Sequence, residues 1–355
     1  MLVSNKNYKS IWCEGSSIKI IDQTLLPFNF KIIELKTSDD FVDAIVNMKV
    51  RGAPLIGVTA LFGVANEMRV DPGDKSLNQV INKLSETRPT AYNLFWALNE
   101  IKDFLNNVPK NSRYKEGMLF AQQKSDEDIS RNKLIGSHCG EEILKNTSKK
   151  TINVLTHCNA GWLATVDYGT ALAPIFFLKE KNINVHVYVS ETRPRNQGGF
   201  LTAWELENMK IPHTVIADNA SGLIIQKGMI DFVIVGSDRI IHSGEVFNKI
   251  GTYMKALACK ESSIPFYVCA PTSTIDWEDE TRGQGVVIEE RDSSEVSEIM
   301  GFNTKSDGIC TSRIINNNSP AINPAFDMTP TNFVSKIFTE KGRSLATELY
   351  KQKYD

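Results

Sequence analysis

The chain has 355 residues, 41% of them apolar and 23% charged, with a formal net charge of -2. That length accommodates two domains at about 100–200 residues each. The near balance of charge excludes a general polyelectrolyte role on nucleic acid or an anionic membrane.

No uninterrupted apolar run reaches membrane-span length, and Met-Leu-Val-Ser-Asn-Lys-Asn at the start has no apolar signal core, which points to the cytoplasm. The cysteines (Cys13, Cys139, Cys158, Cys259, Cys269 and Cys310) are scattered, with no Cys-x-x-Cys and no zinc-finger spacing. The five histidines are equally dispersed. No metal constellation is expected.

In chain order, residues 18–36 alternate apolar and polar around Asp22-Gln23 and Pro27, which predicts short strands and a turn. Thr37-Ser38-Asp39-Asp40 offers helix N-caps, with Phe41, Ile45 and Met48 on one face of the helix that follows. Pro54 suits a first helical turn, so a helix runs from there to about Arg69 and stops at Asp71-Pro72-Gly73. Arg51, Gly52 and Ala53 then lie at a helix N-terminus, where free backbone N–H groups can hold an anion. A plain loop-to-helix joint is the competing reading.

A helix from about Asp74 to Glu86 breaks at Thr87-Arg88-Pro89-Thr90. The next carries Leu94, Leu98, Ile101 and Leu105 on one stripe and ends near Val108-Pro109. A longer one covers roughly 112–147, with Leu134, Ile135, Cys139, Ile143 and Leu144 as its apolar face. The polar joint Asn146-Thr147-Ser148-Lys149-Lys150 is the expected boundary between a mainly helical N-terminal domain, 1–148, with a small strand region at its start, and a second domain, 149–355.

The second half changes rhythm. Strand-like runs at 151–157, 183–189, 213–217, 231–236 and 265–270 alternate with helical stretches. This is the pattern of an α/β domain with a doubly wound, mostly parallel, Rossmann-like sheet. Neither Gly-x-Gly-x-x-Gly nor a phosphate-loop motif is present, so no nucleotide cofactor is expected. Residues 276–312 read as an ordered excursion or surface loop, and the last 25 as a terminal helix.

Ligands of such sheets bind beyond the carboxyl ends of the strands. The first strand delivers Cys158, the second Glu191 to Gly198, the third Asp218-Asn219, the fourth Ser237-Asp238-Arg239 and the fifth Thr272-Ser273. Cys158, on a strand-to-helix corner, is placed to favour a thiolate. A small buried hydrophobe is the alternative. Asp238 follows the apolar Phe232-Val233-Ile234-Val235-Gly236, and burial there raises a carboxyl pKa until it can serve as an acid. A salt bridge to Arg239 is its alternative. Asn248-Lys249-Ile250-Gly251-Thr252 opens the next helix, with Asn248 and Lys249 able to bind hydroxyls or phosphate. If Arg51 and Arg88 face the cleft between domains, a sugar phosphate fits the site.

Together these segments resemble the 5-methylthioribose-1-phosphate isomerase family. The resemblance rests on Arg51-Gly52-Ala53-Pro54, Arg88-Pro89-Thr90-Ala91 with Asn93-Leu94-Phe95-Trp96-Ala97, and Thr156-His157-Cys158-Asn159-Ala160-Gly161. It continues through Glu191-Thr192-Arg193-Pro194 with Gln197-Gly198, Gly236-x-Asp238-Arg239-Ile240, Asn248 to Thr252 and Asn323-Pro324-Ala325-Phe326-Asp327. It implies isomerisation of 5-methylthioribose 1-phosphate to the ribulose phosphate in methionine salvage, with Cys158 and Asp238 catalytic. It also implies Arg51, Gly52, Ala53, Arg88, Gln197, Asn248 and Lys249 as substrate contacts, a homodimer, and no metal or nucleotide cofactor. The wider group includes ribose-1,5-bisphosphate isomerase and regulatory subunits of an initiation-factor exchange factor. The alternatives are therefore isomerisation of ribose 1,5-bisphosphate or 5-deoxyribose 1-phosphate, or phosphate binding without turnover. The chain departs from the pattern at Ser237, which could hydrogen-bond Asp238, and at Arg195-Asn196, which could alter the cleft mouth. Phe95 and Trp96 are candidates for an apolar lining.

Overall fold

The computed structural model describes residues 1–88 and 91–353. The Pro89-Thr90 part of the expected helix break lies outside the described residues. A short ladder pairs β1 (Leu2–Val3) with β2 (Lys6–Asn7). Next, β3 (Ile11–Glu14), β4 (Ser17–Ile21) and β5 (Ile32–Leu35) form an antiparallel sheet whose alternating Ile18 and Ile20 point inward. Five helices follow: α1 (Ser38–Val46), α2 (Ala53–Glu67), α3 (Asp74–Ser85), α4 (Tyr92–Asn106) and α5 (Arg113–Asn146).

A capping box starts α1: the Asp40 N–H donates to Thr37 Oγ1 and the Asp40 carboxylate accepts from the Thr37 N–H. The helix ends at Val46, so Met48 lies beyond it with φ 57°, although its side chain is still buried. Every residue of α2 from Leu55 to Asn66 is buried, as expected of a helix enclosed by others; α1, α3, α4 and α5 surround it. On α5 the buried stripe is Ile135, Cys139 and Ile143, four residues apart, while Leu134 is 47% exposed. One residue is about 100° of helical rotation, enough to turn Leu134 out of the stripe.

The central sheet has seven strands in the order β18-β17-β12-β9-β6-β7-β8. Its first strands are β6 (Thr151–Thr156), β7 (Asn184–Ser190), β8 (His213–Ile216) and β9 (Phe232–Val235). From β6 the chain runs outward to β8, then returns to β9 on the other side of β6. The layout is α/β, doubly wound and parallel except for β18, with its switch point between β6 and β9. The helices α6 (Ala173–Glu180), α7 (Ala203–Asn208), α8 (Ser221–Gln226) and α9 (Thr252–Glu261) fill the connections.

Beyond β9 the chain builds a second, four-stranded sheet in the order β13-β10-β11-β16. Its hairpin joins β10 (Arg239–Ile241) to β11 (Val246–Lys249). Asn248 and Lys249 therefore end a strand, and the helix expected to open at Asn248 starts only at Thr252, after Gly251 with φ 98°. After β12 (Phe266–Cys269) and β13 (Ile275–Asp276), the excursion carries one helical turn, α10 (Ser294–Ser297). A hairpin of β14 (Glu298–Asn303) and β15 (Gly308–Arg313) follows, and β16 (Phe326–Thr329) closes the second sheet.

The last 25 residues do not form the expected helix. They give β17 (Lys336–Thr339), β18 (Gly342–Ser344) and a 3-10 run over Ala346–Lys353. Ile337 and Phe338 are fully buried on opposite faces of the sheet, and Gly342 at φ 136° lets the chain reverse. The two halves share cores: Val3, Ile21 and Leu26 join the sheet's cluster, and Val166 joins that of the N-terminal helices.

Candidate active site

A single cavity at the carboxyl edge of the sheet is lined by Arg51, Gly52, Ala53, Arg88, Cys158, Gln197, Asp238, Asn248 and Lys249, every residue selected from the sequence. The N-terminal helices supply the first four. Gly52, at φ 94°, turns the chain into α2, and the N–H groups of that first turn have no intrahelical partner. Free N–H groups at a helix start can hold an anion. Arg51 leans on the sheet half, with Nη1 donating to Asn159 Oδ1 at 2.5 Å and Nη2 to Asn159 O at 2.8 Å.

Cys158 lies two residues past the end of β6, after His157, with φ 64°, a conformation that strains a non-glycine residue. Two threonines hold it there. Its N–H donates to Thr192 Oγ1 at 2.8 Å, and its carbonyl accepts from Thr202 Oγ1 at 2.7 Å. No helix opens at Cys158: a 3-10 turn covers Trp162–Ala164 and α6 begins only at Ala173. The expected helix-end stabilisation of a thiolate is absent. Burial instead pushes the thiol above its ordinary value of 9.0, with Arg51 and Lys249 pulling the other way. Behind it, burial and Lys255 hold His157 down to about 3. That ring is neutral, and its Nε2 donates to Ile250 O at 2.8 Å.

Asp238 stands at the switch between β9 and β10. Its depth in the molecule pushes the carboxyl above 3.8, against Lys249, Arg51 and Arg88. It does not pair with Arg239, whose guanidinium is taken by Asp276. Ser237 does not bond Asp238 either: its Oγ reaches the carbonyls of Arg239 and Phe247 at 2.8 and 2.9 Å. The hairpin register sets Asp238 across from the β11 end, its N–H donating to Phe247 O at 3.0 Å. Lys249 is buried with its Nζ 5.0 Å from the Phe326 ring centroid. Burial lowers its pKa, while Cys158 and Asp238 raise it. The lysine thus sits electrostatically between the thiol and the acid.

Gln197 Oε1 and Arg88 Nε, on two side chains that line the cavity, are buried with no hydrogen-bond partner among the described residues. Arg88 Nη2 meets Glu289 at 3.1 Å across the cavity. Glu289, Arg291 and the apolar run Val286-Val287-Ile288 come from the excursion, which reads in the sequence as a surface loop with no tie to the site. Met48, Ile56, Ala91 and Phe247 complete the apolar wall. Phe95 and Trp96 do not line it; Trp96 faces Lys124 on α5, and Phe95 is exposed.

Other polar residues at the strand ends are structural. Asp218 accepts from the Thr192 and Arg193 N–H groups and from Ser190. Arg193 reaches the carbonyls of Glu295 and Val296. Arg195 and Asn196 do not line the cavity: Arg195 pairs with Glu295 at 2.8 Å, and Asn196 is buried. Among the described residues no group of three or more His, Cys, Asp and Glu side chains is arranged to hold a metal ion, and no helix is long and apolar enough to cross a membrane.

Residues 49–344 match the model of the Initiation factor 2 subunit family. Among curated relatives, the methylthioribose-1-phosphate isomerase of Brucella anthropi is 50% identical over 96% of this chain and 95% of its own. That of Sinorhizobium medicae is 48% identical with the same coverage. Among solved structures, 5-methylthioribose 1-phosphate isomerase from Pyrococcus horikoshii superposes with a TM-score of 0.84 at 35% identity, covering 98% of this chain and 96% of that one. A translation initiation factor eIF-2B delta subunit from A. fulgidus superposes at 0.78 with 38% identity, covering 95% and 96%.

Proposed function

Since the chain belongs to the Initiation factor 2 subunit family and, with its methylthioribose-1-phosphate isomerase relatives, is an aldose–ketose isomerase, we propose that it converts 5-methylthioribose 1-phosphate to 5-methylthioribulose 1-phosphate. The observation that carries this reading is the composition of the cavity. An anion wall from Arg51, Gly52, Ala53 and Arg88 faces a thiol and an acid, with an apolar flank from Val286 to Ile288. A phosphate suits the first, a sugar carbon the second, and a methylthio group the third.

The phosphate on the anomeric oxygen blocks spontaneous ring opening, so the ring oxygen needs a proton to leave. Asp238, raised by burial, supplies it. The C1–ring oxygen bond breaks, and positive charge develops at C1. The hydrogen on C2 then moves to C1 with its electron pair, the 2-hydroxyl loses its proton to the Asp238 carboxylate, and C2 becomes the ketone. Protons balance and Asp238 is regenerated. Gln197 and Asn248 are placed to orient the hydroxyls, and Lys249 to steady the carboxylate.

The alternative route removes the C2 proton with a Cys158 thiolate. A thiol whose pKa lies above 9.0 costs about 3 kcal/mol or more to ionise at pH 7. A bound phosphate dianion raises that cost. This favours the hydride route, with the neutral thiol excluding water and stabilising charge at C1.

The decisive assay offers methylthioribose 1-phosphate and ribose 1,5-bisphosphate side by side. Turnover of the first, lost by about 10²–10⁴-fold in Cys158→Ser and Asp238→Asn with the fold intact, supports the assignment. Near-normal turnover by either variant removes it. Run in D₂O, the hydride route leaves C1 of the product free of deuterium; deuterium there overturns that route.

A further inference from the structure

Glu205 carries no role in the chemistry above, yet it is fully buried beside the cavity wall. It sits on α7 beneath the loop that carries Cys158. Its Oε1 accepts from Asn159 Nδ2 at 2.8 Å and from the Leu163 N–H at 3.0 Å, and its Oε2 accepts from the Trp162 N–H at 2.9 Å. The loop is shaped to admit it, since a Cβ on Gly161 would fall 1.9 Å from Oε2. Burial pushes the carboxyl up to about 7, against its three N–H donors and the Arg51 charge.

The three donors settle how the Asn159 amide is turned. Its NH₂ faces the Glu205 carboxylate, which can only accept when ionised. Its carbonyl oxygen must therefore face Arg51, as it does at 2.5 Å. A reversed amide would direct two N–H donors at a guanidinium that has no acceptor. The same amide also reaches Thr202 Oγ1 at 3.2 Å, and that hydroxyl holds the Cys158 carbonyl.

We infer that Glu205 is a positioning residue which, by fixing the Asn159 amide, aims the Arg51 guanidinium at the substrate's anionic group. Glu205 touches no reacting atom and acts through Arg51. The inference rests on the assignment of Arg51 to the phosphate. The arrangement has a physical advantage over a direct Glu–Arg pair. An ionised carboxylate against Arg51 would neutralise the cation that the phosphate needs, whereas an intervening amide orients it and leaves its charge available.

The test is a double-mutant cycle on Arg51→Ala and Glu205→Gln, read as sulfate affinity by calorimetry and as KM and kcat with methylthioribose 1-phosphate. Sulfate stays a dianion throughout the working pH range. Glu205→Gln is expected to weaken sulfate about tenfold, the worth of one oriented charge-assisted bond, and to raise KM more than it lowers kcat. In the Arg51→Ala background the same change must have no further effect on sulfate. An equal effect in both backgrounds overturns the inference, because it is what a purely structural role gives. So does a Glu205→Gln protein that binds sulfate normally. If Arg51→Ala itself leaves sulfate affinity unchanged, the phosphate assignment falls and the inference with it. Should Glu205→Gln fail to fold, Asn159→Ala cuts the same link from the other side and must show the same dependence on Arg51.

Discussion

Gly52→Ala is the sharpest single test of how the two halves meet. At φ 94°, a Cβ on residue 52 would sit 2.4 Å from the Ala164 carbonyl oxygen, 2.5 Å from its Cα and 2.6 Å from its Cβ. Two of these are backbone atoms, so no rotamer change relieves the contact. A backbone at φ 94° and ψ 136° lies in a region open mainly to glycine and costs alanine about 1–3 kcal/mol, and overpacking adds about 1–3 kcal/mol. The joint can relax only by moving the start of α2 away from the 161–164 loop, which pulls Arg51 from Asn159. In a chain of this size about 2 °C of Tm accompanies each kcal/mol. A melting scan should therefore show a fall of about 4–12 °C, and kinetics a raised KM. Gly228→Ala is the control, since it shares a positive φ of 66° but meets nothing within 4 Å, and it should lose only the backbone part. If Gly52→Ala melts and binds as the parent does, the close approach of α2 to that loop is not what seats Arg51.

The remaining predictions concern buried carboxyls. Asp238 acts in its protonated form and is held above 3.8 by burial, so kcat should fall as pH rises through its raised pKa; a pH–rate profile measures this, and a profile with no alkaline limb of that origin contradicts the acid role. Asp128 is buried on α5 and pushed up to about 7 by desolvation while accepting from the Val166 N–H. A raised folded-state pKa means the native state binds the proton more tightly, so stability is lost as pH climbs from about 4 to 7. Asp128→Asn should then melt higher than the parent at pH 8, by up to about 4 kcal/mol in stability, and nearly equally at pH 4; a lower melt at pH 8 counts against an ionisation cost there.

Much of this was legible in the chain because it is carried by local signals. Alternation marks β4 and β5, apolar runs mark the central strands β6 to β9 and β12, Pro54 and the Asp71-Pro72-Gly73 stop mark α2, and apolar residues on one face mark α4 and α5; the polar residues after each strand converge because a parallel sheet gathers its carboxyl ends on one edge. Three kinds of error share a physical origin. Leu134 and Ile135 both read as apolar-face residues of α5 from hydrophobicity alone, and only packing shows that Ile135 is buried and Leu134 is not. The terminal segment holds Ile337 and Phe338, an apolar pair too short for its period to distinguish strand from helix. The ionisation of Cys158 depended on a helix that the chain does not start there, and on burial that no spacing reveals. Glu289 and Arg291 were invisible for another reason. Their importance comes from a fold-back across more than 200 residues to Arg88, and charged residues in a polar stretch read as solvated surface.

The hairpin of β10 and β11 imposes a constraint on length. Asp238 and Lys249 stand at its two open ends, with Arg239 opposite Phe247 and Ile240 opposite Val246. Side chains alternate faces along a strand, so adding or removing one residue in the 242–245 turn would exchange Asn248 and Lys249 with their neighbours across the sheet. The turn is also pinned from outside, since a Cβ on Gly244 would lie 2.3 Å from the carbonyl oxygen of Ala346. The spacing between acid and lysine is thus an inherited count. An odd insertion or deletion in the turn would unmake the site in one step, and the C-terminal strap over the turn helps to keep the count.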